Sequence, residues 1–296
     1  MSNYFSIRPL ESPQIPLVSN WARQEGFAPG DGDVSIYQHT DRQGLWVGWI
    51  NNKPIGCIAG VKYNPNYGFI GLYLVIPKYR GQGYGLQLWR TAINHLKDVT
   101  CIGLEAALDR VNDYSKWGFK TSSETTRWHF NNSDTSLFHN LLNDLPHPGI
   151  NVVEASKINS SCIQEYDAKR EPSPRPHFLT DWLDHPSGKV LTLVDQESRC
   201  HGFGRIRPCL LKKGFGWRIG PLLADNSILA SLLIKRLLQS HPGEVLIDSP
   251  GLNPYSNNLL SSIGFTPISN TLRMYKGDQP PTNINEVYGL ACLELG

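Results

Sequence analysis

The chain has 296 residues, 40% hydrophobic and 18% charged, with 28 Lys plus Arg against 26 Asp plus Glu. That length predicts two domains, each able to bury its own core. A net charge of +2 without a basic stripe excludes a nucleic-acid face built on bulk charge, and no apolar run approaches membrane-spanning length. Six cysteines (57, 101, 162, 200, 209 and 292) form no C-x-x-C pair. They predict reduced, partly buried thiols in a cytoplasmic protein, and no metal site. The segment from Met1 to Arg8 lacks the apolar core of a signal peptide.

Tyr4 to Arg8 reads as a first strand, followed by Pro9 and a helical stretch carrying Val18, Trp21 and Ala22. Glu25 stands at the end of that stretch, before Gly26. Leu45 to Ile50 and Ile55 to Tyr63 are strands joined by Asn51-Asn52-Lys53-Pro54, a hairpin signal. Phe69 to Ile76 is an apolar central strand that stops at Pro77. The chain then turns through Arg80-Gly-Gln-Gly-Tyr-Gly85 into a helix with Leu86, Leu88, Trp89, Ile93 and Leu96 on one face. A loop of this kind gathers backbone N–H groups, one cation and the positive end of a helix at one point, which suits a diphosphate. Cys101 to Leu108 is a further apolar strand, interrupted by Glu105. Strand, helix and strand at this spacing predict a mixed sheet with parallel central strands.

The loop residues Val75, Pro77, Arg80, Gly81, Gln82, Gly83, Tyr84 and Gly85 follow V-x-P-x-x-R-G-x-G-x-G. Neither G-x-x-x-x-G-K-[ST] nor G-x-G-x-x-G is present. The stretch resembles motif A of the GNAT superfamily of acetyl-CoA-dependent N-acetyltransferases. Tyr114-Ser-Lys-Trp-Gly-Phe119 resembles that superfamily's L-Y-x-K-x-G-F ending, after a shortened helix. The resemblance implies acetyl-CoA as co-substrate, held by Leu74, Val75, Arg80, Gly81, Gln82, Gly83, Tyr84 and Gly85. It implies an oxyanion contact from a backbone N–H near Val75, where the central strand leaves its neighbour, and Tyr114 as the acid for the departing thiolate. It also makes Glu25 a candidate for holding a cationic amine, the alternative being a plain helix-end residue.

The base is open at this stage. Many GNAT enzymes carry a carboxylate on the central strand, where this chain has Ile70, Gly71, Leu72 and Tyr73. Glu105, the acid inside an apolar strand, is the candidate catalytic base, since burial raises a carboxyl pKa. It also reads as a hydrogen-bonded structural glutamate. His129, Glu25 and a water chain are further candidates.

Lys120 to Phe130 is a strand, and residues 133–148, with a short Leu-rich helix, read as a linker. From 149 onward the order of elements repeats: strands at 150–154, 190–194, 201–207, 216–223, 245–248 and 271–275, and helices at 158–183 (with a Pro-rich break), 228–238 and 252–264. The repeat has no glycine loop, and Leu260 stands where the first copy has Tyr114. Val287 to Leu295 reads as a strand, either the last of the second copy or one that crosses to the first half and brings Gly296 near the chemistry.

The prediction is therefore an α/β protein with a tandem GNAT fold: residues 1–132 an acetyl-CoA-binding domain, 149–296 a degenerate copy shaping the acceptor cleft. The expected activity is acetyl transfer to a primary amine of a small molecule or peptide, by a monomer or homodimer, without nucleic-acid or membrane partners. The rival is a non-catalytic acyl-CoA-binding sensor or interaction protein, and a third reading is transfer of another acyl or aminoacyl group.

Overall fold

The computed structural model describes residues 4–134 and 149–296; the short helix expected in the linker lies outside them. In the first half the strands are β1 (Phe5–Pro9), β2 (Leu45–Ile50), β3 (Lys53–Asn64), β4 (Tyr67–Val75), β5 (Cys101–Ala107) and β6 (Lys120–Asn132). Its helices are α1 (Ile15–Glu25), α2 (Asp33–Thr40), α3 (Tyr84–His95) and the short α4 (Val111–Ser115). The second half repeats the plan with β7 (Asn151–Glu154), α5 (Ser160–Ala168), α6 (Pro176–Asp184), β8 (Lys189–Val194), β9 (Cys200–Leu210) and β10 (Phe215–Ala224). It closes with α7 (Ser227–Leu238), β11 (Gly243–Pro250), α8 (Pro254–Ile263), β12 (Thr266–Lys276) and β13 (Val287–Gly289). The Asn-Asn hairpin forms as its sequence predicts: Asn51 and Asn52 take φ 46° and 64°, the left-handed pair a tight two-residue turn requires. The sequence pattern does not reveal α2, because Asp33, Val34, Ile36 and Tyr37 are all buried and no clean polar face remains.

All the described strands belong to one sheet, in the order β1-β2-β3-β4-β5-β12-β6-β11-β10-β9-β8-β7, with β13 beside β10. The halves exchange their last long strands. β12 lies between β5 and β6, with Thr271 opposite Ala107 on one side and Thr125 on the other. The C-terminal part of β6 in turn pairs with β11, from Thr125–Pro250 to Asn132–Gly243. Met274 of β12 joins Leu104, Ala106 and Phe119 in the core beneath α3, so each half's core is finished by the other.

Among the described residues the three largest apolar cores follow from this arrangement. One lies under α3 and one under α7 and α8. The third is shared: Val18, Trp21 and Tyr37 of the first half pack with Phe178, Trp182, Phe203 and Leu223 of the second, and with Leu290, Cys292 and Leu295 of the tail. At about 1.5–3 kcal/mol for each fully buried large apolar side chain, this shared core binds the halves strongly.

The tail departs from the predicted strand. Only Val287–Gly289 is extended in the sheet, paired with Leu222 and Leu223 of β10. Beyond it the chain crosses to the first half, where the Tyr63 hydroxyl donates to the Leu295 carbonyl at 3.1 Å. The strand itself belongs to the second half, and the tail that follows it reaches the first half without adding a strand to its sheet.

Candidate active site

β4 and β5 are parallel and paired only from Tyr67–Cys101 to Ile70–Leu104. Beyond Ile70 they separate, and β4 bulges against β3: Leu72 takes φ 45°, and the register shifts between Ala59–Gly71 and Cys57–Leu74. The Ile76 N–H donates to the Ile55 carbonyl of β3 at 2.9 Å, while the Val75 carbonyl accepts from Arg80 Nε at 2.6 Å. A strand residue points its N–H and C=O to the same edge. The Val75 N–H therefore faces the opening, where the resemblance implies an oxyanion contact.

After β4, one 3-10 turn (Pro77–Tyr79) leads into the glycine loop. Gly81 and Gly83 have φ 72° and 82°, which L-residues adopt at a cost, and space is open around both. Gly83 sits at the N-cap of α3, and no side chain caps the helix. The first N–H groups of α3 consequently face solvent, an arrangement that takes an anion. Gly85 serves a different need: a Cβ there would stand 2.7 Å from the Tyr73 hydroxyl.

Arg80 does not project from the loop as the sequence suggests. Besides Val75, its guanidinium binds Glu25 Oε1 at 2.5 Å, so it braces the loop to β4 and to the end of α1. Glu25 thus lies at the loop, held by Arg80. Gln82 donates to the Lys78 carbonyl at 3.0 Å and tightens the turn.

Tyr114 lies half-buried on α4 and packs on Trp89, ring centroids 5.2 Å apart. Tyr73, from the separated part of β4, packs on the same Trp89 at 5.7 Å. Burial, reinforced by Tyr73, pushes the Tyr114 phenol up to about 12, so it stays protonated throughout the neutral range. Sequence reasoning passes over Tyr73; the signal was the aromatic residue at the place where a strand carboxylate is sought.

Glu105 is not in the apolar setting its strand suggested. It accepts from Arg273 Nε at 2.6 Å and from the hydroxyls of Thr125 and Thr271 at 3.0 and 2.8 Å. Two of these donors come from β12. His129 pairs with Glu244 of β11.

On the face opposite α3, the loop between α1 and α2 is gripped by arginines. Arg127 and Arg218 donate to the carbonyls of Gly26, Phe27 and Ala28, and Arg207 binds Asp33 at 2.8 and 2.9 Å. Asp248 receives both Arg127 (2.7 and 2.9 Å) and Arg218 (2.7 Å). Burial alone would raise its carboxyl, but the two guanidiniums overcome that and hold it at about 2.

In the second half the corresponding features are closed. Between β10 and α7 stand only Asp225 and Asn226, and the Asn226 side chain accepts from Ile228 and Leu229 N–H, capping α7 itself. β10 and β11 also part, after Ile219–Ile247, but β13 occupies the gap, and the Leu290 N–H donates to the Asp248 carbonyl at 2.8 Å.

Residues 14–119 match the acetyltransferase (GNAT) family, and residues 163–289 match an acetyltransferase (GNAT) domain. A protein of Pseudoalteromonas sp. (strain SANK 73390) named holothin acyltransferase is 31% identical over 291 residues, 98% of this chain and 94% of that one. The chain belongs to the GNAT acetyltransferase family. Its enzyme class is N-acetyltransferase, and its tandem fold has solved counterparts. A candidate acetyltransferase of Pyrococcus horikoshii superposes with a TM-score of 0.80 at 22% identity, covering 99% of this chain and 96% of that one. A tandem GNAT protein from the clavulanic acid biosynthesis pathway gives 0.64 at 13% identity, covering 92% and 98%. Among the described residues no cluster of His, Cys, Asp and Glu could hold a metal ion, and no helix is long and apolar enough to cross a membrane.

Proposed function

We propose that this GNAT enzyme transfers an acetyl group from acetyl-CoA to a primary amine of a small molecule, by direct attack through a tetrahedral intermediate. The observation that carries the reading is the uncapped glycine loop beside a strand edge that is open at Val75, with Tyr114 at its side. The 133–148 segment divides a first half that uses the cofactor from a second that shapes the acceptor side.

In this reading the N–H groups from Gly81 to Gly85 hold the diphosphate, with Arg80 bracing the loop. The pantetheine runs along the free edge of β4, and the Val75 N–H receives the oxyanion. A donor already fixed by the strand costs no reorganisation, and loss of one such donor costs about 2.7–4 kcal/mol in related acyl transfers. Tyr114 donates to the departing sulfur. Glu105, saturated by Arg273 and two threonines, has the role of joining β5, β6 and β12, and Glu25 that of holding Arg80. The relative's name supports a small-molecule acceptor without identifying it.

Titration calorimetry with CoA and acetyl-CoA, with thiol release followed across amines, amino acids and peptides, tests the proposal. Binding with thiol release for at least one amine is the expected outcome. No binding by the full chain defeats the reading, and binding without turnover on any amine turns it into the sensor.

A further inference from the structure

Attack on a thioester needs a neutral amine, yet β4 supplies no carboxylate at its opening and Glu105 is fully bound. A carboxylate reaches this place from the far end of the chain. After β13, the tail is fixed by Arg207, which donates to the Ala291 carbonyl at 3.2 Å. The backbone of Glu294 then lies directly on Gly71: a Cβ there would stand 1.8 Å from the Glu294 carbonyl oxygen and 2.8 Å from its Cα. Gly71 is the first residue of β4 past its last pair with β5.

The Glu294 side chain is buried (3% exposed) but loosely held. Its Oε2 is 3.5 Å from both Arg218 Nη1 and the Tyr37 hydroxyl, the outer limit of a hydrogen bond. By contrast, Asp33 and Asp248 hold their arginines at 2.7–2.9 Å. Arg218 also binds the Phe27 and Ala28 carbonyls, so the Glu294 carboxylate stands between the opening of β4 and the loop that follows α1. The groups facing it are Tyr37 and Asp33 on α2, Arg218 on β10 and Cys292 on the tail, with Arg207 of β9 beyond Asp33.

We infer that Glu294, contributed by the second half, is the general base of the transfer, accepting a proton from the acceptor ammonium directly or through one water at the opening of β4. The inference rests on the acyl-transfer reading above. An N–H bond of the ammonium breaks and an O–H bond forms on Glu294, which passes the proton to solvent. The freed lone pair forms the N–C bond at the carbonyl. As the C–S bond breaks, its electron pair leaves on sulfur, and the sulfur takes a proton from Tyr114. The second proton then lost by nitrogen replaces the one Tyr114 gave, by way of solvent, so the net release is one proton.

The test uses the full chain, acetyl-CoA and two acceptor probes: benzylamine, an ammonium at neutral pH, and hydroxylamine, already largely neutral there. Glu294→Gln should lower turnover of benzylamine by roughly 10²- to 10⁴-fold and leave hydroxylamine within a few-fold of wild type. The benzylamine rate should recover as pH rises and the free amine forms without help. Calorimetry with CoA should give unchanged affinity, showing that the fold is intact, and Glu294→Asp should restore part of the rate. Equal losses for both probes, an unchanged benzylamine rate, or lost CoA affinity would overturn the assignment. Wild-type chain that binds CoA and transfers to neither probe nor any other amine removes the acyl-transfer reading, and this inference with it.

Discussion

Tyr114 shows how a single residue's surroundings select one chemical role. Packed on Trp89 and pushed up to about 12, it keeps its proton over the working range and is suited to donate rather than accept. Transfer to a thiolate from so weak an acid is uphill, so in the proposed role its contribution would be a hydrogen bond that becomes a proton transfer late in C–S cleavage. Tyr114→Phe should lower kcat by roughly 10²-fold or more, by the same factor from neutral pH to about pH 10, because the phenol does not titrate there. Calorimetric CoA affinity should not move. A loss confined to alkaline pH would contradict the donor role. The turn into α3 and the place of Tyr114 on its short helix were legible in the sequence because each is a local pattern whose neighbours lie within a few residues. The setting of Glu105 was not, since Arg273, the partner that binds it, is 168 residues away.

Between elements, two ion-pair systems do different work. The exposed pair Glu25–Arg80 ties the end of α1 to the loop before α3. Surface pairs are worth about 0.2–1 kcal/mol, so Glu25→Gln should tighten CoA binding only a few-fold, by unmasking the loop's cation, and the gain should shrink with added salt. Weaker binding would mean that Glu25's bracing outweighs its charge. The buried system of Arg127, Arg218 and Asp248 joins β6, β10 and β11 to the α1–α2 loop. A carboxyl depressed from 3.8 to about 2 stabilises the fold above its unfolded pKa, by about 2 kcal/mol. That stability is lost as pH falls from about 4 to about 2. Urea midpoints across this window should show the slope in wild type and not in Asp248→Asn. The variant should also be destabilised by about 3–5 kcal/mol at neutral pH, having left two buried guanidiniums short of charge.

For the whole molecule, the decisive feature is the exchange of β6 and β12. The sequence reveals the repeat, since strand and helix periods are local, but not which copy each last strand joins. Each strand is largely polar and buries one short run, Thr125–Trp128 in β6 and Arg273–Tyr275 in β12, which carries no mark of the partner it will take. The exchange makes the halves mutually dependent. A piece ending near residue 140 would present β5 and β6 as unpaired edges, without Met274 in its α3 core or the tail over Gly71. Exposed edges of this kind aggregate. Expressed alone, residues 1–140 and 141–296 should each be insoluble or fail to bind CoA, even though the glycine loop and Tyr114 are intact in the first. Expressed together they should copurify and bind CoA with the affinity of the full chain, since the cut falls outside every strand and helix of the described residues. The intact chain should unfold in a single transition, with tryptophan fluorescence and far-UV circular dichroism coinciding. A soluble first piece that binds CoA by itself would show that the exchanged strands add to the site without being needed to form it.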